Sequence, residues 1–156
     1  MNELQPSRAE AGSAISSGPV FCPVFRYVDA PRAIDWLVEA FGFHKQAVYP
    51  NDDGTIAHAQ LTFGSGVIML GSATNDGPWT VRSPKELDGA ATGGVYVVLE
   101  RDEDIDVHCA RARAAGAEVI REPENADYGG RGYSARDLEG YYWSFGSYRP
   151  APESSP

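Results

Sequence analysis

The feature that most restricts the fold is a repetition in the order of secondary-structure signals: strand, helix and three strands occur once before residue 71 and again after residue 93. In the first copy Val20–Val28 alternates as a strand, with Phe21, Pro23, Phe25 and Tyr27 on one side and Cys22, Val24 and Arg26 on the other. Asp29 stands where it caps a helix opening with Ala30 and Pro31, and proline costs little there because its missing N–H would have no intrahelical partner. Ile34, Leu37, Val38 and Phe41 recur at helical spacing, and Gly42 ends the run. Strands at Phe43–Tyr49, Thr55–Phe63 and Val67–Leu70 follow, separated by turn residues. The second copy runs through a strand at Gly94–Glu100 and a helix at Asp102–Ala115, with Ile105, Val107, Cys109 and Ala112 at its less polar positions. Gly116 stops that helix, and strands follow at Ala117–Arg121, Gly132–Arg136 and Tyr141–Phe145. The helices lie about 70 residues apart. One such unit buries the apolar face of its small sheet poorly, so the two are expected to pair about a pseudo-twofold axis in an α+β fold.

Within the second copy, RGYSARDLEGYYWSFG (residues 131–146) reads as a β-hairpin reversing at Asp137-Leu138-Glu139-Gly140. The period of two sends Trp143 and Phe145 into a core, whereas Tyr142, Ser144 and Gly146 line a more polar hollow. Arg136 and Asp137 are expected to fix the turn. The domain is expected over residues 19–148, with module one at 19–72, a connector at 73–91 and module two at 92–148. Residues 1–18 and 149–156 read as loose tails. The connector carries Trp79 and is too long for a passive link in a compact domain.

The chain has 156 residues, 13 Lys plus Arg against 22 Asp plus Glu, and a net charge of −9 at pH 7. Phosphate backbones and anionic membranes are repelled at long range, so no nucleic-acid or membrane partner is expected, and cationic compounds would be drawn in at low salt. Two cysteines, Cys22 and Cys109, make no disulfide framework or zinc clip, which points to free thiols and a cytoplasmic location. No apolar run nears the ~20 residues of a membrane helix, and no secretory pattern opens the chain.

With both halves in view, the chain resembles the vicinal oxygen chelate superfamily, which includes glyoxalase I, bleomycin-resistance proteins, fosfomycin-resistance transferases and dioxygenases. The resemblance rests on FRYVDAPRAIDWLVEAFGF, ARAAGAEVIREP and ARDLEGYYWSFG, taken in order, and covers about Val20 to Tyr148. It implies two βαβββ modules forming a curled mixed sheet around a cleft. Metal-dependent relatives hold a divalent ion on four cleft positions, which fall here on Cys22, Met69, Gly94 and Ser144. These side chains are not the carboxylates or imidazoles such ions take, so no metal and no cofactor is expected.

The cleft walls implied by the alternation are Cys22, Val24, Arg26, His58, Gln60, Thr62, Met69, Tyr96, Tyr142 and Ser144, a mixture suited to a small organic ligand. Arg26 matches an arginine that receives a carboxylate in glutathione-using relatives; a structural ion pair across the cleft is the other reading. His58 serves as an acid–base group, as a ligand hydrogen-bond donor, or as a passive wall. Cys22 is a nucleophile only if a neighbour such as Arg26 lowers its pKa, and otherwise an inert thiol. Trp36 belongs to the core or to a dimer contact, while His44 and His108 have no partner by spacing. The expectation is a metal-free binding protein of the bleomycin-resistance type, with drugs and antibiotics among its candidate ligands, working as a homodimer. Trp79, Tyr96 and Tyr142 would stack on the ligand, Arg26, His58 and Gln60 would orient it, and Met69 and Ser144 complete the lining. The alternative is a glyoxalase-like lyase, isomerase or thiol transferase with a non-standard metal set or none, using His58.

Overall fold

The computed structural model describes residues 18–74, 77–78 and 80–151. Module one consists of β1 (Val24–Tyr27), α1 (Ala30–Phe41), β2 (His44–Pro50), β3 (Ile56–Phe63) and β4 (Gly66–Ser72); module two of β5 (Gly94–Val98), α2 (Asp102–Ala114), β6 (Glu118–Asn125), β7 (Arg131–Arg136) and β8 (Tyr142–Gly146). Each module makes one four-stranded mixed sheet, ordered β1-β4-β3-β2 and β5-β8-β7-β6, so the second sheet repeats the topology of the first. In each sheet the first and last strands pair in parallel and the remaining pairs are antiparallel. The expected α+β duplication is present.

Local chemistry sets the boundaries. The Asp29 carboxylate accepts from the Arg32 N–H at 3.2 Å, and Gly42 turns α1 off in a left-handed conformation at φ 80° that glycine adopts without cost. The first strand is shorter than the alternation implied. Pairing starts at Val24, and Pro23, which has no N–H to give, adds only a carbonyl accepting from Met69 at 2.9 Å. β6 instead continues past Arg121 to Asn125, its register shifting twice along β7. Val107 does not join the core: it is 71% exposed, because the buried stripe of α2 is Ile105, Cys109 and Ala112, spaced four and three apart.

Both modules bury one sheet face in a common core. Phe25, Tyr27, Leu61, Ile68 and Leu70 come from the first sheet, Tyr133, Ala135, Trp143 and Phe145 from the second. Helix α1 buries seven of its residues, including Trp36, because it packs on its own sheet, on α2 and on the aromatic side chains of β8. Trp36 is therefore a core residue, and its indole N–H donates to the Ala115 carbonyl at 2.7 Å. Strands of the two sheets do not approach one another. Among the described residues the modules join through α1 against α2 and through side chains.

The turn of the β7–β8 hairpin is the main polar tie between modules. Asp137, buried, accepts from the Tyr27 hydroxyl (2.7 Å), the Trp143 indole N–H (3.0 Å) and the N–H groups of Glu139 and Tyr141 (both 3.0 Å). Burial pushes its carboxyl above the ordinary range, and these four donors pull it back. Glu139, also buried, accepts from the Val28 and Asp29 N–H groups at 2.7 and 2.9 Å and from the Ser83 hydroxyl at 2.6 Å. Asp137 thus fixes its own turn as expected and also grips β1, while Glu139 holds the β1–α1 junction and the connector. The connector is docked over this part of its length: Ser83 caps a single 3₁₀ turn at Pro84–Glu86, and the Arg136 guanidinium donates to the Gly89 carbonyl at 2.7 Å. Among the described residues no helix is long and apolar enough to cross a membrane.

Candidate functional site

Strand registers decide which side chains turn away from the core. In the first sheet Val24, Met69 and Gln60 stand in one row, and Arg26 lies beside Gly71 in the next. His58 is on the same face, opposite Tyr49 of β2, and its imidazole stacks on the Tyr49 ring at 6.2 Å. In the second sheet three rows turn outward: Gly94–Tyr142–Arg136, Tyr96–Ser144–Ser134 and Val98–Gly146–Gly132. All the described members of the expected ligand set therefore occupy outward faces, Arg26, His58, Gln60 and Met69 on one sheet and Tyr96, Tyr142 and Ser144 on the other. Trp79 lies outside the described residues.

Glycines on these faces make room for large side chains. A Cβ at Gly94 would sit 2.7 Å from the Tyr142 ring, one at Gly146 would collide with the Tyr96 ring and hydroxyl, and one at Gly71 with the Arg26 guanidinium. The two tyrosine rings consequently lie down on the second sheet, and the arginine lies down on the first. The Tyr96 hydroxyl is held by the Tyr148 carbonyl at 2.8 Å, while the ring remains 44% exposed and open to a stacking partner. Burial raises the Tyr96 phenol above its ordinary pKa. Tyr142 moves the other way: hydrogen bonds from Ser134 and then Ser144 draw its phenol below the usual range, helped by the charges of Arg121 and Arg136. Ser134 and Ser144 also share a hydrogen bond of 2.9 Å.

The free edge of β1 is partly closed from within. The Tyr141 hydroxyl accepts from the Arg26 N–H at 3.2 Å and donates to the Arg26 carbonyl at 2.8 Å, standing in for a neighbouring strand. The Arg26 guanidinium itself has no ion pair among the described residues, so the structural pairing considered for it is not made among them. Two cavities lie between the β1 and β5 sides of the modules. One of about 530 Å³ is bounded by Pro23, Val24, Gly94, Tyr141 and the connector; the other, of about 860 Å³, by Phe43, Phe63, Val67, Tyr96 and α2. Among the described members of the expected ligand set, Tyr96 alone lines either.

A family-type divalent metal does not fit this surface. Of the four carried-over positions, Met69 sits between Val24 and Gln60, Gly94 lies under the Tyr142 ring, the Ser144 hydroxyl is engaged by Ser134, and Cys22 is a free thiol preceding β1. No group of three or more His, Cys, Asp or Glu side chains able to hold a metal occurs among the described residues.

Several residues that matter here were not singled out by pattern. His108 has two partners, the Tyr133 hydroxyl on Nδ1 (2.7 Å) and the Phe41 carbonyl on Nε2 (2.8 Å), which assigns the neutral tautomer with its proton on Nε2. Burial holds its pKa below the ordinary value. Neither partner is near in sequence, so spacing could not reveal them. Ser134 was legible in principle, since a turn at 137–140 places it across from Ser144.

A family model described as the Glyoxalase/Bleomycin resistance protein/Dioxygenase superfamily matches residues 23–145. Among curated proteins, the uncharacterized protein Rv0887c of Mycobacterium tuberculosis is 31% identical over 134 residues, covering 85% of this chain and 76% of that protein. Mb0911c of Mycobacterium bovis, also uncharacterized, is 31% identical over 134 residues, covering 85% and 86%. Among solved structures, TioX from Micromonospora sp. ML1 is similar with a TM-score of 0.62 and 32% identity, covering 83% of this chain and 98% of that one. The manganese-bound fosfomycin resistance protein FosX of Listeria monocytogenes gives 0.59 at 12% identity, covering 84% and 93%, a likeness of fold alone.

Proposed function

The chain belongs to the glyoxalase/bleomycin resistance protein/dioxygenase superfamily, and from that premise we propose that it is a metal-free binding protein of the bleomycin-resistance type, sequestering a planar, partly aromatic small molecule such as a drug or antibiotic. The observation that carries this reading is the pair of tyrosine rings lying over Gly94 and Gly146, where aromatic surface takes the place of metal-ligating groups. Tyr96 and Tyr142 supply stacking surface; Arg26, His58 and Gln60 orient, and Met69 adapts to the ligand's shape. A stacked pair contributes only about 0.5–1.5 kcal/mol beyond burial, so useful affinity requires the ligand to be enclosed. Enclosure is the role we assign to a second copy of the chain. β1 and β5 each end a sheet, with Val24 and Tyr96 exposed beside those edges, and packing these side chains across a homodimer, without strand pairing at the Arg26 position that Tyr141 already occupies, would bring a first-sheet face against a second-sheet face. The protein would act in the cytoplasm, where Cys22 and Cys109 stay reduced. A catalytic reading has less to rest on, since His58 touches the Tyr49 ring and has no acidic or basic partner among the described residues.

The deciding experiment is elemental analysis of the purified protein with a thermal-shift series in nickel, zinc, manganese and iron(II), followed by a ligand screen read by tryptophan fluorescence and by sedimentation with and without ligand. No stoichiometric metal, no saturable rise in melting temperature with any ion, and saturable binding by a dimer are expected. A stoichiometric divalent ion, or turnover lost in His58→Ala while binding persists, would replace this reading with the enzymatic one.

A further inference from the structure

We infer that the outward face of the second sheet receives an acidic oxygen group of the aromatic ligand, at a cluster formed by the Ser134, Ser144 and Tyr142 hydroxyls beside the guanidiniums of Arg136 and Arg121. The inference rests on the binding reading above and adds the ligand's charge to it.

The first ground is the hydroxyl pair. Ser134 is 1% exposed, its Oγ lies 2.9 Å from that of Ser144, and both seryl hydroxyls also hydrogen-bond the Tyr142 phenol, so the three hydroxyls form one cluster of donors. An acidic oxygen arriving on the open side, where Tyr142 and Ser144 are only partly covered, would take a proton that these groups now share among themselves. The second ground is the charge pattern. The three outward rows on β5, β8 and β7 contain one arginine and no carboxylate. Arg136 donates to the Gly89 and Gly140 carbonyls and forms no ion pair among the described residues, so its charge is held in place without being neutralised. The facing acids stand on the outer strand β6: Glu118 is registered opposite Arg136, and Glu124 is paired with Arg121 at 3.2 Å. The Tyr142 phenol is drawn below its ordinary range first by the Ser134 and Ser144 hydrogen bonds and then by the Arg121 and Arg136 charges, so the cluster favours negative charge on an oxygen at this place.

The net charge of −9 points the opposite way, toward a cationic ligand. The local pattern is the better guide once a ligand is seated, because charges beyond about 8 Å are screened at physiological salt. Stacking on Tyr96 and Tyr142 would set the aromatic body, and the hydroxyls with Arg136 the orientation of its acidic group.

Three planar probes of matched size test this by calorimetry on the full chain: 2-naphthoate, naphthalene-2-carboxamide and 2-naphthylmethylammonium. Naphthoate should bind about tenfold more tightly than the carboxamide, as charge-assisted hydrogen bonds require, with the ammonium weakest and the preference narrowing as salt is added. Ser144→Ala and Arg136→Gln should each cut that preference to about twofold or less, because naphthoate affinity falls more than carboxamide affinity, and Ser144→Thr should retain it. Equal binding of naphthoate and ammonium, or a preference that survives both substitutions, would overturn the inference and leave the binding reading intact. If none of the three bound, both would fall.

Discussion

Replacing Asp137 by Asn tests whether the hairpin turn ties the modules together as a carboxylate. One carboxylate oxygen accepts from the Glu139 and Tyr141 N–H groups, and the other from the Tyr27 hydroxyl and the Trp143 indole N–H. An amide of the same shape presents one oxygen and one NH2. If the oxygen stays toward the backbone, the NH2 meets the fixed indole N–H, donor against donor, while the Tyr27 hydroxyl can rotate to accept. If the amide flips, two backbone donors lose their acceptor instead. The first arrangement costs least: it removes one hydrogen bond to a charged acceptor, about 1.5–3 kcal/mol, and strands a buried indole N–H, about 1–3 kcal/mol. A total of about 2.5–6 kcal/mol follows, which at about 3 °C per kcal/mol for a chain of this length lowers the melting temperature by about 8–18 °C. Urea unfolding followed by circular dichroism measures it, with an unchanged m-value confirming that stability alone has moved. Tyr27→Phe, which deletes a rotatable hydroxyl and leaves the carboxylate its other three donors, should cost about half as much or less. A loss under about 1 kcal/mol for Asp137→Asn would refute the reasoning, because it would mean that the indole does not depend on a charged acceptor.

Three further outcomes are expected. Burial keeps folded His108 neutral below its ordinary pKa of about 6.5, so in acid the unfolded chain takes up a proton that the folded chain refuses. Stability should therefore fall as pH drops from about 6.5 toward the folded value, and His108→Gln, which can still donate to Phe41 and accept from Tyr133, should flatten that fall in urea midpoints measured between about pH 7.5 and 5. In an ultraviolet titration the first of the eight tyrosines to ionise should vanish in Tyr142→Phe, since Ser134 and Ser144 stabilise its phenolate while burial raises Tyr27, Tyr96, Tyr133 and Tyr141. Gly146→Ala should lift the Tyr96 ring off the sheet and break its bond to the Tyr148 carbonyl, weakening aromatic ligands about tenfold in fluorescence titrations.

The duplicated order of elements, the α1 cap at Asp29, the stop at Gly42 and the inward turn of Trp143 and Phe145 were all legible in the residues, because each depends on neighbours within a few positions. So was the outward side of β1, β3 and β8, which follows from the period of two. Boundaries were less legible where pairing rather than propensity sets them, as at Pro23 and in the lengthened β6. The buried stripe of α2 was not legible either, because hydrophobicity alone does not separate exposed Val107 from buried Ile105, Cys109 and Ala112.

What only the tertiary structure decided are the relations between groups far apart in the chain. Asp137 reaching Tyr27, Glu139 reaching Val28 and Ser83, His108 joining Phe41 to Tyr133, and Tyr141 closing the edge at Arg26 all span long sequence separations that no local pattern encodes. The candidate site divides in the same way. Its residue types could be read from alternation, but the tyrosines lying over glycines and the seryl pair beside Arg136 arise from register between strands. Two β-α-β-β-β units and the water-facing side of β1, β3 and β8 could be read from the residues, because helix caps, turns and the two-residue strand period are short-range properties. Packing decided that the two sheets stay unpaired among the described residues yet share one core, because Phe25 of β1 stacks on Trp143 of β8 and α1 packs on α2 and on the aromatic side chains of β8.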